Sequence, residues 1–171
     1  MVINMEKEVK FSVQMTIKTM YSFLMYHGYH GFAGIANLIL SGGAIALLIA
    51  GVGKGDSFAR LMLVLIALLF TVINPIYLLY KAAKQVKLTP MFLKPLNYVV
   101  NEQGILVSQE TEKLLTEWEE VIKVTETKQA YYIYLSLTRS FLFPKEALGD
   151  QEQIFREILR KEVDSKKCRL K

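Results

Sequence analysis

The chain has 171 residues, 52% of them hydrophobic, and carries 21 Lys and Arg against 16 Asp and Glu, a formal net charge of +5. This charge does not indicate a nucleic-acid partner, because residues 97–163 hold twelve acidic and eight basic side chains and are net negative. The basic excess lies beside two apolar segments and at the C-terminus, where it suits a lipid bilayer with anionic headgroups. The single cysteine, Cys168, excludes an intrachain disulfide.

The first patterned segment is residues 8–18, in which apolar and polar side chains alternate without interruption. Period-two alternation predicts a half-buried strand. Because a lone strand is not stable, we predict that residues 1–18 join a sheet formed later in the chain. Residues 19–30 are aromatic and predict a short helix at the headgroup level of a membrane. His27 and His30 share a face of that helix, but two ligands do not make a typical zinc site, so no metal is expected.

Residues 31–80 predict a transmembrane hairpin. Its spans, 31–53 and 61–80, contain no charged residue, and each has the roughly 20 residues that a helix needs to cross about 30 Å of hydrocarbon. A backbone inside lipid must satisfy its own hydrogen bonds, so each span should be helical. Two buried helices of a soluble bundle are the alternative, but such helices normally keep a polar stripe.

Small residues at four-residue spacing mark one face of the first span: Gly42, Ala46 and Ala50. This spacing lets another helix approach closely. We expect the partner to be the second span of the same hairpin. A contact between two copies of the chain, making a homo-oligomer, is the alternative.

The second span carries a polar residue and a proline near its end, Asn74 and Pro75. Pro75 cannot donate to the carbonyl of Thr71, which predicts a kink. Asn74 should hydrogen-bond either to that freed carbonyl or to the first span. Asn74 could also belong to an ion or substrate site, but this is less expected because transport pathways usually carry ionisable groups.

Four lysines follow the second span within residues 81–96: Lys81, Lys84, Lys87 and Lys94. The positive-inside rule places this end in the cytoplasm, and an even number of spans returns the N-terminus to the same side. We therefore predict a multi-pass plasma-membrane protein with both termini cytoplasmic. Two prolines in the same segment predict a stiff linker without long helix.

From residue 97 onward the pattern is typical of β-structure. Six short strands separated by turn residues are predicted, followed by an amphipathic helix, and together they make residues 97–163 one small domain. Asp150, with Gln153 three residues later, has the spacing of a capping box at the start of that helix. The basic tail, 164–171, is expected to be disordered.

Several segments together carry a family resemblance. The two membrane helices are followed by WEEVIKVTET from Trp118, YYIYL from Tyr131, FPK from Phe143 and a last amphipathic helix. This order resembles the YcxB-like family of bacterial membrane proteins. The resemblance implies a pleckstrin-homology-like domain, a small antiparallel barrel closed by a C-terminal helix. The predicted count of seven strands agrees, and the chain would be a membrane α+β protein with its hairpin inserted after the first strand.

Three residues of this domain are candidate binding residues: Trp118, Arg139 and Lys145. Trp118 could be a ligand platform, but a large aromatic side chain is most stabilising when buried, so a core position is expected. Lys145 with the nearby Arg139 could bind a phosphate headgroup, although phosphate clamps usually gather more than two cations. No glycine-rich phosphate loop, zinc-ligand cluster or nucleophile elbow is found. Neither an enzyme nor a cofactor is therefore expected, and the family resemblance supplies no catalytic residues.

Two function classes follow. The first is an adaptor or sensor, in which a cytoplasmic domain tethered to the membrane recognises a headgroup or a segment of an unknown protein partner. The second is a subunit of a small oligomeric transport or pore complex built from the hairpin around Asn74.

Overall fold

The structure is a computed structural model that describes residues 7–136 and 139–170. The chain divides into two units. A helical unit comprises Thr16–Leu88, and a sheet domain combines the chain before Thr16 with the chain after Leu88. The helical unit is therefore inserted in sequence between the first strand and the rest of the sheet domain. Three predicted segments extend beyond the described residues. They are the N-terminal segment at its start, the predicted strand 130–137 at its end, and the tail at its final residue.

The helical unit is built from α1 (Ile17–Tyr29), α2 (Phe32–Ile49), α3 (Ser57–Leu68), a π-helical segment (Leu69–Ile73) and α4 (Asn74–Leu88). The last three are continuous and form one helical run, Ser57–Leu88. Helix α1 packs along α4, and α2 packs along α3. One arm of this hairpin is broken between α1 and α2, whereas the other arm is continuous.

Two helical runs, Phe32–Ile49 and Ser57–Leu88, are long and apolar enough to cross a membrane. Their large apolar side chains are mostly exposed, including Phe32 at 91%, Ile49 at 82% and Phe58 at 70%. A core helix of a soluble protein buries such side chains, and soluble surfaces avoid apolar patches of this extent. The distribution favours the predicted hairpin over a soluble bundle.

The bounds of α1 and α4 differ from the predicted ones. Helix α1 begins at Ile17 because the hydroxyl of Thr16 accepts a hydrogen bond from the amide of Thr19 and caps it. That cap stops the first strand before the alternating pattern ends. Helix α4 continues to Leu88, so the first half of the predicted linker is helical. Lysine, alanine and leucine are good helix formers, and the helix ends only before Thr89 and Pro90.

The sheet domain contains two four-stranded sheets. The first is antiparallel, in the order β1-β2-β3-β4: β1 (Val9–Val13), β2 (Leu96–Asn101), β3 (Gly104–Gln109) and β4 (Glu112–Glu117). The second has the order β7-β6-β5-β8: β5 (Lys123–Glu126), β6 (Ala130–Tyr134), β7 (Ser140–Pro144) and a short parallel strand, β8 (Cys168–Arg169). Helices α5 (Lys145–Leu148) and α6 (Glu152–Glu162) follow β7, and single 3₁₀ turns lie at Pro90–Phe92, Trp118–Glu120 and Gly149–Gln151.

One hydrophobic core joins both sheets and α6. Strand β1 contributes to it as predicted, since it pairs with β2 with Val9 opposite Val100. Phe11 lies in an aromatic cluster, with ring centroids 4.9 Å from Phe143 and 5.5 Å from Tyr98. The side chains of β1 therefore hold the two sheets together, and the α+β class is as predicted.

Two predictions for the C-terminal region were wrong. The tail is not wholly irregular, because Cys168 and Arg169 form β8 and pair with the otherwise open side of β5. The capping box at Asp150 does not form, because Gly149–Gln151 is a 3₁₀ turn and α6 begins one residue later, at Glu152. The side chain of Gln151 instead accepts a hydrogen bond from the backbone N–H of Lys10, which is one donor on the edge strand β1.

Candidate functional site

A set of charged and polar side chains, centred on one buried carboxylate, lies between the second sheet and the C-terminal helices. We call Glu126, Tyr131, Lys145, Glu152 and Arg156 the Glu126 cluster. The side chain of Glu126 is only 3% exposed, and it accepts from Lys145 Nζ at 2.5 Å and from Arg156 Nη1 at 2.8 Å. Glu152 accepts from Lys145 Nζ and from the hydroxyl of Tyr131, at 2.8 and 2.7 Å. Two carboxylates and two cations therefore balance one another and connect β5, β6, α5 and α6.

The electrostatics of the Glu126 cluster stabilise its charged forms. Burial lowers the pKa of Lys145, but hydrogen bonds to Glu126 and Glu152 outweigh burial and raise this pKa above its ordinary value. The hydrogen bond from Lys145 holds the pKa of Glu152 below its usual range. Burial, and then donation to Glu152, raises the pKa of the Tyr131 phenol. Lys145 is therefore charged but fully engaged by carboxylates of its own domain.

Arg139 and Lys145 do not form the predicted phosphate clamp. Arg139 is exposed in the turn after β6, where its carbonyl accepts from the amide of Leu135. Lys145 follows the other end of β7, so the two residues are separated by the length of that strand, about 20 Å at 3.3 Å per residue. A single phosphate cannot contact both. The pairing was wrong because proximity in sequence becomes distance when the intervening residues are extended.

Trp118 lies in the hydrophobic core and is 7% exposed. Its indole Nε1 donates to the carbonyl of Asn101 at 3.0 Å, which satisfies its one polar group. The expected core position is confirmed, and no face of the ring is left as a ligand platform. The three predicted binding residues thus occupy separate places.

The sequence contained one signal for the Glu126 cluster. Glu126 lies two residues after Val124, which is fully buried, so both side chains occupy the inward face of β5. An acidic residue on a buried face needs a partner. Its partners come from β6, α5 and α6, and only the folded arrangement identifies them.

The outer strand of the first sheet is exposed. Strand β4 is the terminal strand in the sheet order, and in the described part of the chain it pairs only with β3. Leu114 and Leu115 on this strand are 55% and 44% exposed. Four exposed carboxylates accompany them on β4 and the following 3₁₀ turn: Glu112, Glu117, Glu119 and Glu120. We call this apolar, acidic strand the β4 edge.

In the helical unit, one hydrogen-bonded network links the break in the first arm to the π-helical segment in the second. The hydroxyl of Tyr29 donates to the carbonyl of Phe70 at 2.7 Å and accepts from Asn74 Nδ2 at 3.0 Å. The backbone N–H of Asn74 donates to the carbonyl of Leu69, five residues earlier. In that register the donor for Phe70 would be Pro75, which has no N–H, so Tyr29 supplies the missing hydrogen bond.

This network corrects one prediction for the second span. The partner of Asn74 is Tyr29, not the carbonyl of Thr71 and not a residue of the first span. The π-helical segment ends shortly before Pro75. Such a segment is one way in which a helix accommodates the backbone N–H that proline lacks.

The helix-packing face of α2 is formed by other residues than those predicted. Gly34, Ser41 and Ala44 are buried, and Ser41 Oγ donates to the carbonyl of Ile66 at 2.9 Å. A Cβ atom on Gly34 would lie 2.3 Å from the carbonyl oxygen of Gly28, so only glycine fits where α2 follows α1.

Gly42, Ala46 and Ala50 are exposed, and a Cβ atom on Gly42 would meet nothing within 4 Å. The expectation that this small-residue face contacts the second span was therefore wrong. The close approach at Gly34 and the hydrogen bond of Ser41 fix the rotation of α2, and they turn the small-residue face outward.

The two histidines stack on aromatic rings of α1. The ring centroid of His27 lies 6.0 Å from that of Phe23, and that of His30 lies 4.1 Å from that of Tyr26. Among the residues that the structure describes, no group of three or more His, Cys, Asp or Glu side chains is placed to hold a metal ion.

Comparison with known proteins finds similarity to one protein family. Residues 100–159 match the family model described as YcxB-like protein. The family resemblance is confirmed. The YcxB-like region runs from the end of β2 into α6, so it includes the whole Glu126 cluster and the β4 edge. The chain is also similar to Uncharacterized protein YcxB of Bacillus subtilis (strain 168), with 24% identity over 113 residues, 65% of this chain and 61% of that protein. No solved structure matches the chain.

Proposed function

We propose that the chain is an integral protein of the plasma membrane that holds its sheet domain at the cytoplasmic face as a binding module. The observation that carries the proposal is the exposed apolar surface of the runs Phe32–Ile49 and Ser57–Leu88. Lipid is the solvent that makes such a surface stable. Three lysines on α4 and Lys94 beyond it favour the cytoplasm for this end of the hairpin, against Lys54 and Arg60 at the other end.

Strand pairing supports the same topology by an independent route. Strand β1 lies before the hairpin in sequence, β2 lies after it, and the two are hydrogen-bonded neighbours in one sheet. Two paired strands must be on the same side of a membrane, so the chain between them crosses an even number of times. Two crossings, by α2 and by the α3–α4 run, satisfy this condition.

We further infer that the sheet domain is pleckstrin-homology-like. Seven antiparallel strands in two sheets, followed by a C-terminal helix, agree with the inventory of that domain. Domains of this kind present strand edges and loops on a rigid core. The charge-balanced Glu126 cluster would serve this rigidity, because it joins two strands to both C-terminal helices.

The β4 edge is the surface that best fits a protein partner. An exposed terminal strand offers unpaired backbone groups to an added strand. Its carboxylates repel an anionic membrane surface and attract a basic peptide. We therefore propose that an extended segment with alternating apolar and basic side chains adds to β4, placing its apolar side chains on the face of Leu115 and its basic side chains on the opposite face, which carries Glu112.

Peptide selection on the full chain in lipid nanodiscs tests this module. Selected sequences should alternate apolar residues with Lys or Arg, and Glu112→Lys should weaken their binding about tenfold. The matched control is Glu146→Lys, which reverses an exposed charge on α5, away from β4, and it should bind as the parent does. Selection of acidic peptides, or equal loss in both variants, would contradict recognition at the β4 edge.

The alternative of a transport or pore subunit gains no support from the helical unit. The polar side chains Tyr29, Ser41 and Asn74 are all hydrogen-bonded to protein atoms. Transport pathways usually carry ionisable charged groups, and the segments 31–53 and 61–80 contain no charged residue. The small-residue face of α2 is exposed and could contact a second copy of the chain. A homo-oligomer therefore stays a proposal, which crosslinking at this face can test.

A further inference from the structure

A groove of about 490 Å³ lies along α4. Its lining consists of Tyr77, Tyr80, Lys81, Lys84, Gln85 and Leu88. These residues recur at intervals of three and four, so they share one face of the helix. Leu78 and Ala82 are buried on the other face, where α1 packs. The groove therefore opens away from the helical unit that forms it.

The groove is positively charged. Lys81 and Lys84 are exposed, and they form no ion pair within the described part of the chain. Neither α1 nor α4 contains an acidic residue, and the one acidic residue of the helical unit is Asp56. Asp56 precedes Lys81 by 25 residues of sequence, or about 37 Å along a helix. The groove thus presents two free cations to its ligand.

The position of the groove fits the boundary of a bilayer. Lys81 is the first charged residue after the apolar segment 61–80. Tyr77 and Tyr80, 57% and 63% exposed, come directly before it. Aromatic side chains of this kind lie at the membrane interface, with the apolar ring toward the chains and the hydroxyl toward the headgroups. The groove is therefore aromatic at one end, and its two cations lie next to this aromatic end.

We propose that this groove is a binding site for an anionic phospholipid of the cytoplasmic leaflet. The ammonium groups of Lys81 and Lys84 pair with the headgroup phosphate, and an acyl chain lies along the ring of Tyr77. A zwitterionic lipid binds less well, because its choline group repels the two lysines. This inference rests on the proposed membrane insertion and names a ligand for one site on the inserted unit.

Native mass spectrometry of the full chain in dodecylmaltoside tests the proposal, with phosphatidylglycerol or phosphatidylcholine titrated into the micelles. The parent should retain phosphatidylglycerol in preference. Direct pairing of an ammonium group with the headgroup phosphate contributes about tenfold in affinity, so the double variant Lys81→Gln/Lys84→Gln should lose roughly 100-fold. Single variants should each lose about tenfold.

The matched control is Lys18→Gln/Lys87→Gln, which removes the same net charge from exposed positions outside the groove lining. It should retain phosphatidylglycerol within about twofold of the parent. Equal loss in the two double variants would mean diffuse attraction and would overturn the site. Equal retention of both lipids by the parent would overturn it too. Carbonate extraction of membranes from the same cells reports insertion separately, so loss of lipid by a fully inserted variant bears on the groove alone.

Discussion

Replacing Lys145 by methionine tests whether the Glu126 cluster stabilises the sheet domain. Lys145→Met keeps the length of the side chain and removes its charge. The Glu126 carboxylate, 3% exposed, then loses one of the two cations that contact it. Removing one partner of a buried ion pair costs about 3–5 kcal/mol. Because Arg156 still contacts Glu126, we expect the lower end of this range, about 3 kcal/mol.

The free energy of unfolding can be measured on the full chain in a mild detergent by urea titration. Trp118 is the one tryptophan of the chain, and it is buried in the core of the sheet domain, so its fluorescence reports that domain alone. The control is Lys161→Met, which breaks an ion pair with Glu102 between side chains that are 62% and 38% exposed. An exposed ion pair contributes little to stability, so Lys161→Met should unfold almost as the parent does.

A loss for Lys145→Met that equals the loss for Lys161→Met would refute the role given to the cluster. Should Lys145→Met fail to fold, Lys145→Arg decides the question. It keeps the charge, and Arg suits pairing with two carboxylates. A folded, stable Lys145→Arg protein is the expected result, and an equally unfolded one would show that shape and not charge matters at this position.

Three further predictions concern acid stability, the hairpin and the core. Because the pKa of Glu152 is lowered in the fold, its contribution to stability is present above the ordinary value of 4.5 and is lost as the pH falls through the lowered value. Lys145→Met should therefore move acid unfolding, read by the same fluorescence, to higher pH. Tyr29→Phe should destabilise the helical unit by about 1 kcal/mol, and by less in a Pro75→Ala background that restores the missing donor, as measured by loss of helical circular dichroism in an SDS titration. Phe11→Ala should cost the sheet domain about 3–5 kcal/mol in urea.

The hairpin and core predictions each have a control. Tyr77→Phe removes an exposed hydroxyl and should leave SDS unfolding unchanged. If Tyr29→Phe lowered the free energy of unfolding equally with proline or alanine at position 75, the Tyr29 hydroxyl would not be replacing the donor that Pro75 lacks. Ser12→Ala alters the exposed face of β1 and should cost less than about 0.5 kcal/mol. A Phe11→Ala protein as stable as the parent would mean that β1 is not part of the core.

Elements whose physics is local could be predicted from the sequence. The two long apolar helices follow from composition, because uncharged apolar segments of about 20 residues are typical of helices that can span a membrane. Strand β1 follows from alternation, although the pattern alone did not show that the cap at Thr16 would end it. The strand β8 has only two residues, Cys168 and Arg169, too few for any periodic signal.

Features that depend on rotation or on distant partners could not be predicted. Spacing showed that Gly42, Ala46 and Ala50 share a face, but the direction of that face is set by Gly34 and Ser41. The Glu126 cluster takes its side chains from four elements, and a sequence pattern gives no register between them.

The sidedness of two engineered cysteines tests the central claim most directly. Ser57→Cys lies at the start of α3, Ser165→Cys lies after α6, and both serines are exposed. Each is made in a Cys168→Ser background, because Cys168 is half-buried and burial raises the pKa of its thiol, which slows its labelling. With a membrane-impermeant maleimide, intact cells should label position 57 and spare position 165, whereas inverted vesicles should label 165 and spare 57. Labelling of both positions from the same side would contradict a membrane-crossing hairpin, and the reverse pattern would place the sheet domain outside the cell.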